Sequence, residues 1–306
     1  MWLQFALVGY AILAAVAVLD KFLISKRRVT PALFTWFSTF PVLLVLVLVP
    51  FGVRFPAALG EGLAAAISAL AFTFALWTMY RGYQESEVSH AGPLVGASVA
   101  VFAVWFGRLF LGEELSTWQY WAVALLVAGS LLIASERSRR HNGWHRGMLW
   151  IILAGALYAT SHVASRYLYG AIGFYSGFVW SRGIMGLFGV LLLFHPAVRA
   201  EIRGWFSRPA ASRAGRQSQP GHLALMIVNQ SLGVGAVILL QYAISLGSVG
   251  LVGALSGVRE ALLIILVAVI SRFRPTLFRE QYARGELRQE VLAVALIAAG
   301  IIMLVR

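Results

Sequence analysis

The chain has 306 residues, 60% of them hydrophobic and only 12% charged, about half the charged fraction of an ordinary soluble domain. Twenty-five Lys and Arg against 12 Asp and Glu give a formal charge of +13. The arginines gather in short loops between apolar runs, a pattern that orients a membrane protein and argues against nucleic-acid binding. With no cysteine, disulfides, thiol catalysis and cysteine-ligated metals are excluded.

Ten apolar stretches follow one another at 2–24, 31–51, 60–81, 88–111, 118–135, 147–168, 173–194, 221–245, 248–271 and 289–305. Each approaches or exceeds the ~20 residues that cross ~30 Å of hydrocarbon. Lipid offers the backbone no hydrogen-bond partner, so the expected class is an all-α membrane protein of ten transmembrane helices. Met1 leads directly into the first stretch, which reads as a retained helix because it lacks a basic leader and a small-residue cleavage site. Asp20-Lys21 closes that stretch as an interfacial ion pair or a gate. In the fourth stretch, Gly92, Gly96 and Ala100 sit at the four-residue spacing that lets helices approach closely, and His90 stands near its mouth. A basic loop, 137–146, separates the fifth stretch from the sixth.

The sixth stretch carries Tyr158, Ser161 and His162; the histidine is a candidate proton carrier or a plain hydrogen-bonding residue. Trp180 and Arg182 lie midway along the seventh. Arg182 keeps its proton at any depth, and its fork suits a carboxylate or phosphate, or the carbonyls of a neighbouring helix. Residues 195–220, rich in Arg, Pro, Ser and Gly, read as a flexible basic linker. Asn229-Gln230-Ser231 in the eighth stretch reads as cavity lining or interhelical bonding, as do Gln241 and Tyr242. The seam at Leu246-Gly247-Ser248 is a tight helical hairpin or one broken helix. In the ninth stretch, Gly250, Gly253, Ala254 and Gly257 prepare close packing ahead of Arg259 and Glu260. Adjacent residues differ by about 100° around a helix, so Arg259 and Glu260 are expected to face different partners, Glu260 meeting Arg182 and Arg259 the cavity. Two arginines against one glutamate leave a surplus positive charge at depth, which points to an anionic or zwitterionic solute. Glu260 is the leading candidate for proton coupling. Residues 272–288, with five arginines, are expected to form a short surface helix.

Two halves are visible. Leu33-Phe34-Thr35-Trp36 parallels Gly177-Phe178-Val179-Trp180 at an offset of 144 residues, which aligns Ser38 with Arg182. Residues 1–136 and 147–306 each hold five stretches, an odd number, so like-folded halves must lie in opposite orientations in the bilayer. Nineteen of the 25 Lys and Arg fall in the odd-numbered loops, which the positive-inside rule places in the cytoplasm, with both termini outside.

Glu85-Ser86-Glu87-Val88-Ser89-His90-Ala91-Gly92-Pro93-Leu94 opens the fourth stretch, and Leu111-Gly112-Glu113-Glu114-Leu115 joins it to the fifth. With Leu19-Asp20-Lys21 and the intramembrane Arg182, this pattern over the whole chain resembles the EamA-type transporters of the drug/metabolite transporter superfamily. The second half departs from it, with Arg272-Phe273-Arg274-Pro275 in place of the Leu-Gly-Glu turn. The resemblance implies a multi-pass protein of the bacterial inner membrane. It implies secondary transport, often export or exchange, of a small polar metabolite by alternating access. It also implies termini on the inside, against the charge count. The expected cavity residues are Arg182, Arg259, Glu260, Asn229, Gln230, Trp180 and Tyr158, with Glu260 and His162 as candidates for proton coupling.

The expected partners are a small-molecule metabolite and membrane lipids, with no cofactor and no metal; the sequence leaves the oligomeric state open, with a monomer favoured. No Gly-rich Lys-Ser/Thr loop, His-Glu-x-x-His or Gly-x-Ser-x-Gly occurs, so neither direct ATP use nor hydrolysis is supported. The competing reading is a lipid-linked translocase or membrane scaffold subunit without a small-molecule cavity.

Overall fold

In a computed structural model, residues 1–23, 30–86, 88–135, 146–206, 220–273 and 284–305 are described. Among them every regular element is a helix, with ten segments long and apolar enough to cross a membrane. The helices are α1 (Trp2–Leu23), α2 (Pro31–Thr39), α3 (Leu59–Glu85), α4 (Val88–Leu111), α5 (Thr117–Ala134), α6 (Arg146–Ile172), α7 (Phe174–Leu192), α8 (Pro196–Phe206), α9 (Pro220–Leu246), α10 (Val249–Ala254), α11 (Ser256–Phe273) and α12 (Arg284–Val305). The outer surface is apolar, as lipid requires: Leu44 is 74% exposed and Trp105 59%.

The ends of these helices follow from local sequence. Thr30 caps α2 by accepting from the Leu33 N–H, with Pro31 at the first helical position. Ser116 and Gln119 cap α5 reciprocally, at 3.3 and 2.9 Å. Gly173, at φ +83°, makes a one-residue joint between α6 and α7.

The second span departs from the single helix expected. After Thr39 it continues as a 3-10 helix over Phe40–Leu48. Pro41 lacks the N–H that a continued α-helix would use there. The change has a packing role. A 3-10 helix makes a turn in about three residues, so Phe40, Leu43 and Leu46 line one edge. Gly183, Gly186 and Gly189 of α7, also three apart, lie against them in antiparallel register. A Cβ placed on Gly189 would come within 2.6 Å of the Phe40 nitrogen, and one on Gly186 within 2.5 Å of the Leu43 backbone.

The ninth span is also interrupted. α10 ends at Ala254, Leu255 intervenes, and α11 begins at Ser256. The seam before it is a hairpin: Gly247 and Ser248 separate α9 from α10, and the Ser248 hydroxyl caps α10 through the Leu251 N–H. The small residues of α4 and of the ninth span allow close packing, with a Cβ on Gly96 reaching Ser256 at the start of α11 at 2.7 Å and one on Gly250 of α10 reaching Val104 of α4 at 2.6 Å.

Part of the expected flexible linker 195–220 is ordered helix. α8 buries Val198 and lays Ile202 against Ala32 and Leu33 of α2, apolar positions one turn apart that a linker reading overlooks. Residues 207–219 of that linker, most of the basic loop 137–146 (through 145), and 274–283 of the expected surface helix lie outside the described residues, as do the side chains of Asp20, Lys21 and His90.

The spans pack in a definite order. α3 lies along α6, and α1 along α9. α4 is wedged against α6, α5 and α10, while α5 packs on α12, and α7 on α2 with its 3-10 extension. The largest buried cluster joins both halves, including Ala6 and Tyr10 of α1, Leu126 of α5, Val163 of α6, Ile297 of α12, and Leu255 between α10 and α11.

Candidate functional site

The polar side chains that the apolar spans carry converge on the interior. Arg182, at mid-α7, is 3% exposed. Its guanidinium lies over the Phe72 ring of α3 at 4.3 Å and near Phe178 at 5.8 Å, and Nη1 points at Met185 Sδ at 3.6 Å. Phe72 in turn meets Tyr158 edge-on at 5.1 Å and His162 at 6.4 Å, both from α6. The Tyr158 and His162 rings are nearly parallel, 6.3 Å apart. Residues from three helices thus surround one buried cation with aromatic faces, whose quadrupoles favour positive charge.

From this centre a polar line runs in both directions. One way, Gln241 of α9 lies 3.4 Å from His162 Nδ1 and accepts from the Tyr169 hydroxyl at 2.9 Å. The other way, the Tyr158 hydroxyl donates to Met79 Sδ at 3.6 Å, and the Tyr80 and Tyr83 rings follow 6.3 Å apart. Tyr80 meets Ser38 at 3.3 Å, the residue that aligns with Arg182 in the other half. Glu260, 7% exposed, lies next to Gly92 of α4, where a side chain would approach its carboxylate to 3.7 Å.

Two sequence expectations need correction. Arg259 and Glu260 do meet: Arg259 Nε and Glu260 Oε1 are 3.8 Å apart. The 100° step separates the Cβ directions, but both side chains are long enough to bend together. No ion pair joins Glu260 to Arg182, and no carboxylate of the described residues lies within ion-pair distance of Arg182. The surplus positive charge therefore resides on Arg182.

The remaining candidates divide. Tyr158 and His162 belong to the central cluster, and Asn229 is buried on α9. Gln230 is exposed on the outer arc of α9 beside Val228 and Leu232. Trp180 points away from the centre: its indole N–H donates to the Arg54 carbonyl at 2.9 Å, and its ring packs edge-on against Phe55. Two residues along a helix lie about 200° apart, so Trp180 and Arg182 take opposite faces.

Sequence reading passed over three features. The interruption at Leu255 lies four residues before Arg259, and the Tyr10 hydroxyl donates to the Val252 carbonyl just ahead of it, at 3.0 Å. Glu113, read as part of a turn, has its carboxylate on the second half, accepting from the Ser248 hydroxyl at 2.6 Å and the Val249 N–H at 3.1 Å. Beside it, Arg166 donates to the Ser245 carbonyl. Glu113 and Arg166, with Leu111, Tyr167, Gly170 and Ala171, line a cavity of about 380 Å³ at that end of the bundle. Among the described residues no cluster of three or more His, Asp or Glu could hold a metal ion.

These features define a multi-pass integral membrane protein, ten apolar spans around an aromatic-lined interior charge. Residues 1–135 match the EamA-like transporter family. The chain is 40% identical over 70 residues, 22% of its length, to a Sinorhizobium sp. protein named "Uncharacterized transporter in cobO 3'region", and it spans 48% of that relative's length. It also resembles a solved crystal structure with a TM-score of 0.64, at 17% identity over 98% of this chain and 93% of the other. That likeness speaks for the fold alone.

Proposed function

We propose that this protein is a secondary transporter of a small polar metabolite, anionic or zwitterionic, in the bacterial inner membrane. It works by alternating access between two inverted five-helix halves, 1–136 and 147–306. The observation that carries this reading is the burial of Arg182 and Glu260 inside the bundle rather than at its lipid face. A charge at membrane depth costs at least ~2.5–3.5 kcal/mol, so one retained there has a function.

The helix pairings support the inverted arrangement. The second and seventh, fourth and ninth, and fifth and tenth spans each pack against their own counterpart, and the contact of the first with the eighth mirrors that of the sixth with the third. Exchanging the halves reproduces those pairings. The broken ninth span beside the charges supports the site's location, because interrupted helices frame transporter sites near the bilayer centre. Without an ATP-binding loop, the energy comes from a gradient or from exchange, with Glu260 and His162 as the groups to couple protons.

The test is an uptake and counterflow screen in proteoliposomes across amino acids, organic acids, sugar phosphates, nucleosides and organic cations. Saturable flux of an anion or zwitterion is expected. Flux of cations alone would refute the charge argument. Complete absence of flux, with lipid movement in its place, would favour the lipid-linked translocase.

A further inference from the structure

We propose that the Nε/Nη2 edge of Arg182 seats the carboxylate of a monocarboxylate ligand with an apolar body. The proposal rests on the transport reading above and names the chemistry that its site selects.

The first argument is charge. Arg259 and Glu260 lie 3.8 Å apart and offset each other, so the pair presents no single sign to a ligand. Arg182 has no such partner among the described residues. A single negative charge neutralises it, whereas a doubly charged phosphate would leave an excess anion in a low-dielectric interior.

The second argument is geometry. Of the guanidinium nitrogens, Nη1 is turned to Met185. Nε and Nη2 are buried and meet no acceptor among the described residues. These two lie along one edge of the planar guanidinium and present parallel N–H groups, the spacing that matches the two oxygens of a carboxylate. Structural arginines buried in proteins ordinarily spend that edge on carboxylates or carbonyls. Here the carbonyls of α7 are engaged in the helix, and the neighbours are rings.

The third argument is the wall. Phe72 and Phe178 flank the guanidinium at 4.3 and 5.8 Å, with Tyr158 and His162 behind Phe72. A body docked through Arg182 is surrounded by aromatic faces, which favours an apolar or flat group over a polyol. Both donor nitrogens are shielded from solvent, so a ligand must displace ring walls from α3 and α7 to reach them. Binding is thereby tied to a movement between helices, and the ligand shifts that equilibrium by its differential affinity.

The test is isothermal titration of the purified full-length protein with four probes that share a ring: benzoate, benzamide, benzylamine and phenyl phosphate. Saturable binding of benzoate is expected, with phenyl phosphate at least about tenfold weaker and no binding of benzamide or benzylamine. Arg182→Lys keeps the charge but loses the fork and should weaken benzoate at least about tenfold; Trp180→Phe, on the opposite face of α7, should leave it within about twofold. Benzamide matching benzoate, an unaffected Arg182→Lys, or no saturable benzoate binding to the wild type would overturn the proposal. The probe comparison on the wild type needs no variant. Flux restricted to solutes without a carboxylate would end this proposal and leave the transport reading standing; benzoate binding by a protein that moves no solute would do the reverse.

Discussion

Arg182 and Glu260 have different surroundings, and their variants should fail differently. Arg182 faces rings and has no acid partner among the described residues, so Arg182→Gln should raise the half-saturating substrate concentration steeply. Glu260 is held by Arg259 and lies against Gly92. Glu260→Gln removes a titratable group while keeping its shape, so transport measured from pH 5 to 8 should lose its pH dependence; an unchanged profile removes Glu260 from proton coupling. The three ionisable residues were legible from sequence because nothing else charged occurs at that depth of the spans. Their pairing was not, because a periodicity argument follows Cβ directions and ignores side-chain reach. The same periodicity, applied to Trp180, would have put it opposite Arg182, and that signal was overlooked. Gln230 was grouped with Asn229 by adjacency alone, though a 100° step carries it onto the lipid-facing arc.

Between elements, the chain uses two devices for close contact. Gly183, Gly186 and Gly189 accept the 3-10 edge of Phe40, Leu43 and Leu46. Backbone is what a side chain at Gly189 would strike, so the contact cannot give way by a rotamer change. Gly189→Val should therefore destabilise the fold by about 1–3 kcal/mol, read as a lowered Tm in detergent. The Glu113 carboxylate ties the end of α4 to the start of α10 across the two halves. Glu113→Ala removes hydrogen bonds to a charged group and should cost about 1.5–3 kcal/mol, with Glu113→Gln intermediate, on the same measurement. The existence and order of all ten spans were legible, since apolar length is a strong signal. The α-to-3-10 change had a cue in Pro41, and the three-residue glycine spacing in α7 was its complement. The interruption at Leu255 had no cue in that residue, a good helix former, and the weak helix formers Gly253 and Gly257 around it were read only as packing positions.

For the whole molecule, the pairing of spans supports two halves related by exchange, while the lysines and arginines bear on which face is cytoplasmic. Nineteen basic residues in the odd loops place both termini outside; the family resemblance places them inside. A C-terminal alkaline phosphatase fusion should be active if the charge count governs, and an active cytoplasmic fluorescent-protein fusion in its place would reverse the orientation. The central claim is that the polar groups share a water-reachable path through the bundle. The chain has no native cysteine, so single cysteines report without background. Tyr158→Cys, inside the aromatic cluster, and Leu44→Cys, 74% exposed on the outer surface, are to be reacted in membrane vesicles with a membrane-impermeant methanethiosulfonate. Faster modification at position 158 than at 44, slowed by transported substrate, is the predicted result. Modification at 158 no faster than at the lipid-facing site would contradict the account.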